Sequence, residues 1–197
     1  TETGKISGVS LAIGNSGAYS KITVAGSISS SNNGVYNTGS DNETIITETG
    51  SIIAGGTAIS NTKRGNSASG FIVGNNKTTV SGSFSAGTHG IFNEGGDNNI
   101  NTVSGSISTT GQGGNGIFNI GGAVYTEGPC CGINWVTLSD TTNTETTVTV
   151  DGSISASGHG IYTIGNSNKT TVAGSISTTG GESCNAWRFG CVQYNGG

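Results

Sequence analysis

Histidine side chains could carry out acid–base chemistry or bind a metal ion. There are two, His89 and His159, and each directly precedes the glycine of a Gly-Ile-aromatic segment. Asn33 occupies the equivalent position in another copy of that segment. Asparagine and histidine are both enriched at left-handed backbone conformations. We therefore interpret the two histidines as turn residues rather than as catalytic or metal-binding residues.

Carboxylates could act as acid and base in polysaccharide hydrolysis, or as ligands of a hard cation. Glycosidases hold two carboxyl groups within about 5–10 Å of each other, but the aspartates here fall in different coils of the repeat described below: Asp41, Asp97, Asp140 and Asp151. Asp41 and Asp97 recur in one kind of turn, yet the G-G-x-G-x-D repeat of calcium-binding β-rolls is absent. We predict no catalytic residues, no metal site, no cofactor and no enzymatic activity. A polysaccharide-active β-helix enzyme is a distant alternative.

The four cysteines predict disulfides. Cys130, Cys131, Cys184 and Cys191 lack the paired spacing of a zinc site, so cross-links formed in an oxidising compartment are the simpler interpretation. Bonds from Cys130 and Cys131 to the other two would staple the C-terminal end. A Cys184–Cys191 bond and bonds between subunits are the alternatives.

The amino-acid composition restricts the class of protein and the kinds of partner that we expect. Of 197 residues, 37 are glycine and only 9% are charged, with a net charge of −4. This balance gives no basic patch for nucleic acid, and no apolar run approaches the ~20 residues of a membrane helix, so we expect neither partner. Glycine, serine, threonine and asparagine are poor helix formers. The chain has no methionine and begins at Thr1, which we interpret as a secreted protein, extracellular or at the cell surface.

The element that must position all these residues is a short repeat. A Gly-Ser-Ile-Ser-like segment recurs with gaps of 22, 24, 32, 23, 47 and 22 residues. Its glycines are Gly4, Gly26, Gly50, Gly82, Gly105, Gly152 and Gly174. A period near 22 is typical of a solenoid whose turns stack on one another. We predict an all-β fold, a single-stranded β-helix (β-solenoid) of about seven to eight turns of ~22 residues, forming one domain over residues 1–197.

Two columns of residues follow from this repeat. Strand side chains alternate between faces, so the apolar residue two after each glycine should point inward. This core ladder is Ile6, Ile28, Ile52, Phe84, Ile107, Ile154 and Ile176. The residue three before each glycine should point outward. This outer Thr ladder is Thr1, Thr23, Thr47, Thr79, Thr102, Thr149 and Thr171. Valines two before the glycine, Val150 among them, are expected on the inward face.

Two long gaps and one aromatic column complete the pattern. The gap of 32 residues predicts a surface loop at about 60–70, and the gap of 47 predicts either a long excursion or a degenerate turn at about 120–145. Aromatic residues recur in five of the turns, and we expect them inside the solenoid, where aromatic rows fill the core. They are Tyr19, Tyr36, Phe92, Phe118 and Tyr162. The alternative is an exposed stripe that forms a lateral contact or a glycan-binding surface.

The pattern "GSIS…GHGIY…GNSNKTTVAGSIS" resembles the passenger repeats of bacterial autotransporters and filamentous-haemagglutinin-like adhesins. The resemblance covers nearly the whole chain except about 120–145 and the last dozen residues. It implies a right-handed β-helix, a location at the cell surface, and an adhesive or structural role.

The ends of a solenoid suggest the function. Its terminal turns are open sheet edges that can pair with another strand, and head-to-tail contacts that do not close a ring give filaments. The repeat is in phase from Thr1, and the last turn carries Trp187 and Phe189. We therefore predict a structural subunit whose partner is itself, forming a surface or matrix filament. The alternative is an adhesin fragment that binds surface glycans. An ice-binding solenoid is a distant alternative, since the Thr-x-Thr pattern is not kept.

Overall fold

The structure is a computed structural model that describes residues 4–62, 74–94, 98–120, 123–126, 135–138, 144–164 and 168–179. In these ranges the protein is all-β, with 21 strands. The described residues contain no helix long and apolar enough to cross a membrane. Three parallel sheets, stacked coil upon coil, form a β-solenoid, and this confirms the fold class predicted from the repeat.

The first sheet has seven strands, one from each Gly-Ser-Ile-Ser-like segment. In spatial order they are β1 (Lys5–Gly8), β4 (Ser27–Ser30), β7 (Ser51–Ala54), β10 (Ser83–Ala86), β13 (Ser106–Thr109), β18 (Ser153–Ala156) and β21 (Ser175–Thr178). Register pairing places all seven residues of the core ladder in one column. Ile28 is 2% exposed, whereas Ile6, at the edge of the sheet, is 43% exposed.

The second sheet has six strands and begins after the first corner of each coil. In spatial order they are β2 (Leu11–Asn15), β5 (Asn33–Thr38), β8 (Ile59–Thr62), β11 (His89–Glu94), β14 (Asn115–Ile120) and β19 (Ile161–Ile164). The column from Val35 through Ile59, Ile91 and Ile117 is fully buried. These β-branched side chains pack against the isoleucines of the first sheet and form the same core.

The third sheet also has six strands. In spatial order they are β3 (Lys21–Val24), β6 (Glu43–Ile46), β9 (Lys77–Val80), β12 (Ile100–Val103), β17 (Glu145–Val148) and β20 (Lys169–Val172). Its last position points into the core in every strand, and these residues are Val24, Ile46, Val80, Val103, Val148 and Val172.

The expected outer Thr ladder is wrong at two positions. Register pairing puts Ile45 between Thr23 and Thr79. In the same way it puts Thr147 between Thr102 and Thr171. Thr47 and Thr149 lie one corner later, and Thr1 lies outside the described residues.

A longer corner is the physical reason for the shift. In two coils, two extra residues separate the strand of the third sheet from the next glycine, and a tight turn absorbs them. The amide of Gly50 donates to the carbonyl of Thr47 at 2.8 Å, and that of Gly152 donates to Thr149 at 2.9 Å. Val150 lies in the second of these turns and is 77% exposed, so the expectation that it points inward is also wrong.

The segment at about 120–145 adds no strand to the three sheets within the described residues. Strands β13 and β18, which flank it in the first sheet, pair directly, and so do β14 and β19 in the second. Two strands from the segment, β15 (Ala123–Thr126) and β16 (Trp135–Leu138), pair antiparallel with each other. The described strands of the segment therefore lie outside the three stacked sheets. Most of the loop expected at about 60–70 lies outside the described residues.

Candidate functional site

The aromatic column lies on the outer face of the second sheet, so its expected place in the interior is wrong. Ile91 and Asn93 are buried, while Phe92 between them is half-buried and points outward. Phe118 and Tyr162 follow Phe92 in the same register column. Tyr19 does not belong to this column. It lies at a corner with φ 57° and is exposed.

Five rings on this face are in contact and form what we call the aromatic stripe: His89, Phe92, Phe118, His159 and Tyr162. Phe118 lies 5.4 Å from Phe92 and 5.2 Å from Tyr162, measured between ring centroids. His89 stacks on Phe92 at 5.5 Å, and His159 stacks on Tyr162 at 4.9 Å. Offset and edge-to-face contacts at these distances are favourable, so the rings support one another.

A glycine places the histidines on this face. Gly90 and Gly160, which follow His89 and His159, face the core, and a Cβ atom on either would overlap the Cγ2 methyl of an isoleucine, Ile107 or Ile176. Because the backbone turns inward at the glycine, the residue before it and the aromatic residue two positions after it share the outer face. Neither histidine has a positive φ. The proposed turn geometry is therefore wrong, and ring stacking accounts for the position.

Hydrogen bonds link the two histidines through Asn115, which lies between them. The Asn115 amide N–H donates to His89 Nδ1 at 3.4 Å. The His159 amide N–H donates to Asn115 Oδ1 at 2.9 Å. Burial lowers the pKa of His89 below its ordinary value. The neutral ring, whose Nδ1 can accept a hydrogen bond, is therefore the favoured form.

An asparagine ladder lies on the inward face of the second sheet. Each asparagine directly follows the outward-facing residue of its strand. The members of the ladder are Asn15, Asn37, Asn61, Asn93 and Asn119. Each Nδ2 donates to the Oδ1 of the next coil, at 3.3, 2.9, 2.7 and 2.7 Å in order. The last, Asn119, donates to Thr163 Oγ1 at 3.2 Å. Buried polar side chains need such partners, and here the neighbouring coil supplies them.

Sequence reasoning missed this ladder, although a signal was present. Asparagine follows the aromatic residue in "GVYN" at 34–37 and in "GIFN" at 90–93 and 116–119. Glycine- and asparagine-rich segments are usually interpreted as turns. The sequence analysis also predicts an inward position for the aromatic residue. Because adjacent strand residues face opposite ways, an inward aromatic residue implies an outward asparagine.

A second set of asparagines stabilises the corner before the third sheet. The side-chain oxygens of Asn42, Asn76 and Asn99 each accept a backbone N–H from the preceding coil, at 3.1 Å in every case. Asn168 does the same for Thr144 at 3.1 Å. Each side chain thus accepts a hydrogen bond from a backbone N–H group that is not paired within the sheets.

The same corner contains left-handed residues, among them Asp41. Asp41, Asn75 and Asn98 have φ values of 59°, 57° and 59°. Asn75 Nδ2 donates to Asp41 Oδ1 at 2.9 Å, and Asn98 Nδ2 donates to Asn75 Oδ1 at 3.2 Å. Among the described residues no group of three or more histidine, cysteine, aspartate or glutamate side chains could hold a metal ion. Asp41 is accounted for by the stacking of this corner.

The remaining site residues are placed as follows. Asp151 is exposed in the turn that ends at Gly152. Asp97, Asp140 and all four cysteines, Cys130, Cys131, Cys184 and Cys191, lie outside the described residues. The predicted disulfides stay a prediction.

Comparison of the chain with protein-family models, with curated proteins and with solved structures finds no significant match.

The outer face of the third sheet carries ion pairs between coils. Glu43 lies 2.8 Å from Lys21 and 3.5 Å from Lys77, and Glu145 lies 3.0 Å from Lys169. The hydrogen bond from Lys21 lowers the pKa of Glu43. The lysines are exposed and the glutamates only partly buried, so each pair contributes little to stability. The alternation of lysine and glutamate in this column nevertheless favours the observed strand register over others.

The first coil differs from the coils above it. A shallow cavity of about 320 Å³ opens beside β2. It is lined by Leu11, Gly14, Asn15, Ser16, Tyr36 and Thr38. Four of the seven exposed large hydrophobic residues in the described chain belong to this coil: Ile6, Val9, Leu11 and Tyr19. Among the described residues, apolar exposure is therefore concentrated in the first coil, and exposed apolar area of this kind is typical of interaction surfaces.

Proposed function

We propose that this protein is a structural, extracellular β-solenoid subunit that joins head to tail with copies of itself into a surface or matrix filament. The observation that carries the proposal is the edge formed by β1, β2 and β3. Each of these strands has one neighbour within the described residues. In the described part of the chain each therefore presents backbone N–H and C=O groups on its other side, where a further strand can pair.

Exposed side chains at that edge support strand addition. Ile6 belongs to the core column but is 43% exposed, whereas Ile28, directly above it, is 2% exposed. Leu11 is 38% exposed at the edge of the second sheet. Covering such side chains contributes about 25 cal/mol per Å² of buried apolar surface. Exposed apolar area of this kind is typical of interaction surfaces.

The recurrence of the same residue type in several columns supports a copy of the chain as the partner. Isoleucine stacks on isoleucine, serine on serine and asparagine on asparagine along the sheets. A strand that adds below β1 with the same alternation continues these columns without a change of register. Contacts between opposite ends of identical subunits produce filaments when the rotation between subunits does not close a ring.

The test is association of the purified protein in solution. Ile6→Lys places a charge on the open edge, which is a common device against edge pairing. We expect the wild type to form concentration-dependent polymers in sedimentation velocity and the Ile6→Lys variant to sediment as a monomer.

The matched control is Ile53→Lys, since Ile53 is 61% exposed on the outer face of the first sheet, two rungs from that edge. This variant should polymerise like the wild type. A wild type that stays monomeric at high concentration would refute the proposal.

The second candidate function is an adhesin fragment that binds surface glycans, and the outward position of the aromatic stripe favours it. Aromatic rings with polar neighbours, such as Phe118 beside His89, are suited to bind a sugar. The stacked rings cover much of one another's faces, however, and leave mainly their edges open. Glycan-array binding by a monomeric variant, lost on Phe118→Ser, would favour this function over the structural one.

A further inference from the structure

A pair of hydrogen-bond donors lies beside the aromatic stripe, in the middle of the described coils. His89 and Asn115 are in register on neighbouring strands of the second sheet. His89 Nδ1 accepts the Asn115 amide N–H at 3.4 Å, so the neutral imidazole carries its proton on Nε2. Nε2 makes no hydrogen bond within the described part of the chain. It is therefore a donor with a fixed position that a ligand can use.

Asn115 supplies the second donor, although its side chain is only 7% exposed. Its Oδ1 accepts the His159 amide N–H at 2.9 Å, whereas its Nδ2 makes no hydrogen bond to a described residue. Nδ2 is also not among the described polar atoms that are fully enclosed without a partner, so it reaches the surface. Because buried polar groups are normally paired, an amide held in this way is suited to bind an acceptor on a ligand.

Aromatic rings lie beside these donors. His89 is 5.5 Å from Phe92 and 5.2 Å from Phe118, measured between ring centroids. Asn115 precedes Phe118 by three residues, as His89 precedes Phe92, and the two pairs are in register. The planes of Phe92 and Phe118 are inclined at 45°, and both side chains are half-buried. Part of each ring is therefore accessible next to the donors.

The chemistry of this patch restricts the ligand. In the His89–Asn115 pair both acceptors, His89 Nδ1 and Asn115 Oδ1, are already engaged, so the pair offers donors alone. Glu94 is the one charged side chain of the described strands β11 and β14 when His89 is neutral. The matching ligand is uncharged and carries an acceptor oxygen next to an apolar group.

Size favours a small molecule over a protein. Three residues along each strand and three coils along the axis enclose roughly 150 Å². Stable protein–protein interfaces bury about 800 Å² on each partner. A patch of this size is therefore too small to hold a protein by itself, and it is large enough for a few sugar units.

We propose that the aromatic stripe, together with Asn115, binds the N-acetylhexosamine units of an uncharged glycan. The acetamido carbonyl oxygen accepts from Asn115 Nδ2, a neighbouring sugar oxygen accepts from His89 Nε2, and the acetyl methyl group packs against Phe118. A hydroxyl group in place of the acetamido group brings no apolar atoms to the rings. The inference rests on the glycan-binding function given above as the second candidate, and it is independent of head-to-tail assembly.

Two trisaccharides test the proposal, the β-1,4-linked trimer of N-acetylglucosamine and the β-1,4-linked trimer of glucose. They differ at C2 of each ring, where the first carries an acetamido group and the second a hydroxyl group. Calorimetric titration into the purified protein measures each Kd, and saturation-transfer NMR identifies the ligand protons nearest to the protein. We expect the acetylated trimer to bind at least about tenfold more tightly, with the strongest saturation at its acetyl methyl groups.

Asn115→Asp removes the donor and keeps the shape of the side chain. A carboxylate oxygen replaces Nδ2, while the other oxygen still accepts the His159 amide N–H. This variant should bind the acetylated trimer at least about tenfold more weakly. Asn33→Asp is the matched control, since Asn33 Oδ1 accepts the Thr57 amide N–H at 3.3 Å in the same way. It adds the same charge outside the aromatic stripe and should bind like the wild type.

Phe118→Ser is the second variant. It removes a ring from the stripe and copies Ser60, which lies in the same column two coils away. It should also weaken binding of the acetylated trimer, because the acetyl methyl group loses its apolar contact. Thermal unfolding shows whether each variant folds, and sedimentation velocity records its state of association.

The outcomes separate this inference from the function on which it rests. A preference for the acetylated trimer that is lost in Asn115→Asp and Phe118→Ser, but kept in Asn33→Asp, supports the proposal. Equal affinity for the two trimers, lost in Phe118→Ser, overturns the acetamido assignment and leaves the glycan-binding function standing. Unchanged binding in both stripe variants places the site elsewhere and overturns the proposal. If neither trimer binds and the stripe variants instead weaken self-association, the stripe contacts a second copy, and the proposal is likewise overturned.

Discussion

At the scale of single residues, the asparagine ladder is the feature that most distinguishes this solenoid from an ordinary apolar coil. Asn93 is 2% exposed. It accepts from Asn61 and donates to Asn119, both at 2.7 Å, and it also donates to Asn101 at 3.1 Å. An amide that both donates and accepts along the axis links three successive coils. Its contribution comes from satisfied hydrogen bonds in a place where water cannot replace them.

Removal of one amide from the ladder should therefore be costly. We expect Asn93→Ala to lower the free energy of unfolding by about 2–4 kcal/mol, because it removes the hydrogen bonds to Asn61 and Asn119, takes the Asn93 donor away from buried Asn101 Oδ1, and opens a cavity. Denaturant unfolding measures the change. The control is Asn32→Ala at an exposed position, for which we expect less than about 0.5 kcal/mol. Equal effects for the two variants would show that the ladder does not stabilise the fold.

His89 gives the stability a pH dependence of defined sign. Burial lowers its pKa in the folded chain, so the unfolded chain binds the proton more tightly. Stability should therefore fall as the pH falls below about 6.5, the unfolded value, until the folded pKa is reached. Denaturant unfolding between pH 7.5 and 5.5 measures the slope.

The control for this prediction is His89→Asn, which copies Asn115 in the same column. The variant should lose the slope in that pH range. An unchanged slope in the variant would assign the pH dependence to another group.

At the scale of elements, the repeat was enough to predict every strand of the first sheet and the inward isoleucine column. It failed where coils differ in corner length. A two-residue turn after Ile46 and after Val148 displaced Thr47 and Thr149 from the expected ladder. Counting backward from a glycine assumes equal corners, and letters alone do not show a turn of this kind.

The aromatic column was misplaced for a different physical reason. The alternation of a strand is interrupted at the glycine before Ile91 or Ile117, where the backbone itself lies against the core. Hydrophobicity favoured an interior position for Phe92 and Phe118, but the smaller isoleucines and asparagines on either side fill that interior. The repeat therefore predicts that the aromatic residues form a column, but it does not predict that this column lies on the outer surface.

The glycine at this bend should tolerate no side chain. We expect Gly116→Ala to lower the free energy of unfolding by about 3 kcal/mol, because its Cβ would overlap Ile154 and the carbonyl of Gly160. Gly17→Ala is the control, since the nearest atoms to a Cβ there are 3.7 Å away. Thermal unfolding compares the two variants. A Gly116→Ala variant as stable as Gly17→Ala would mean that the backbone does not lie against the core.

At the scale of the whole molecule, the described coils form a stack with one chemically distinct end. Its interior is continuous from coil to coil, and each sheet ends at a strand with one neighbour in the described residues. Exposed apolar residues and two lysines gather at the β1–β2–β3 edge. A stack of this form gains stability whenever a further coil covers that edge.

The most direct test of end-to-end assembly is cryo-electron microscopy of the purified protein across a range of concentrations. The account predicts filaments in which the strand spacing of about 4.8 Å runs along the filament axis without interruption at subunit boundaries. Dispersed single rods at high concentration, or filaments with that spacing across the axis, would contradict it.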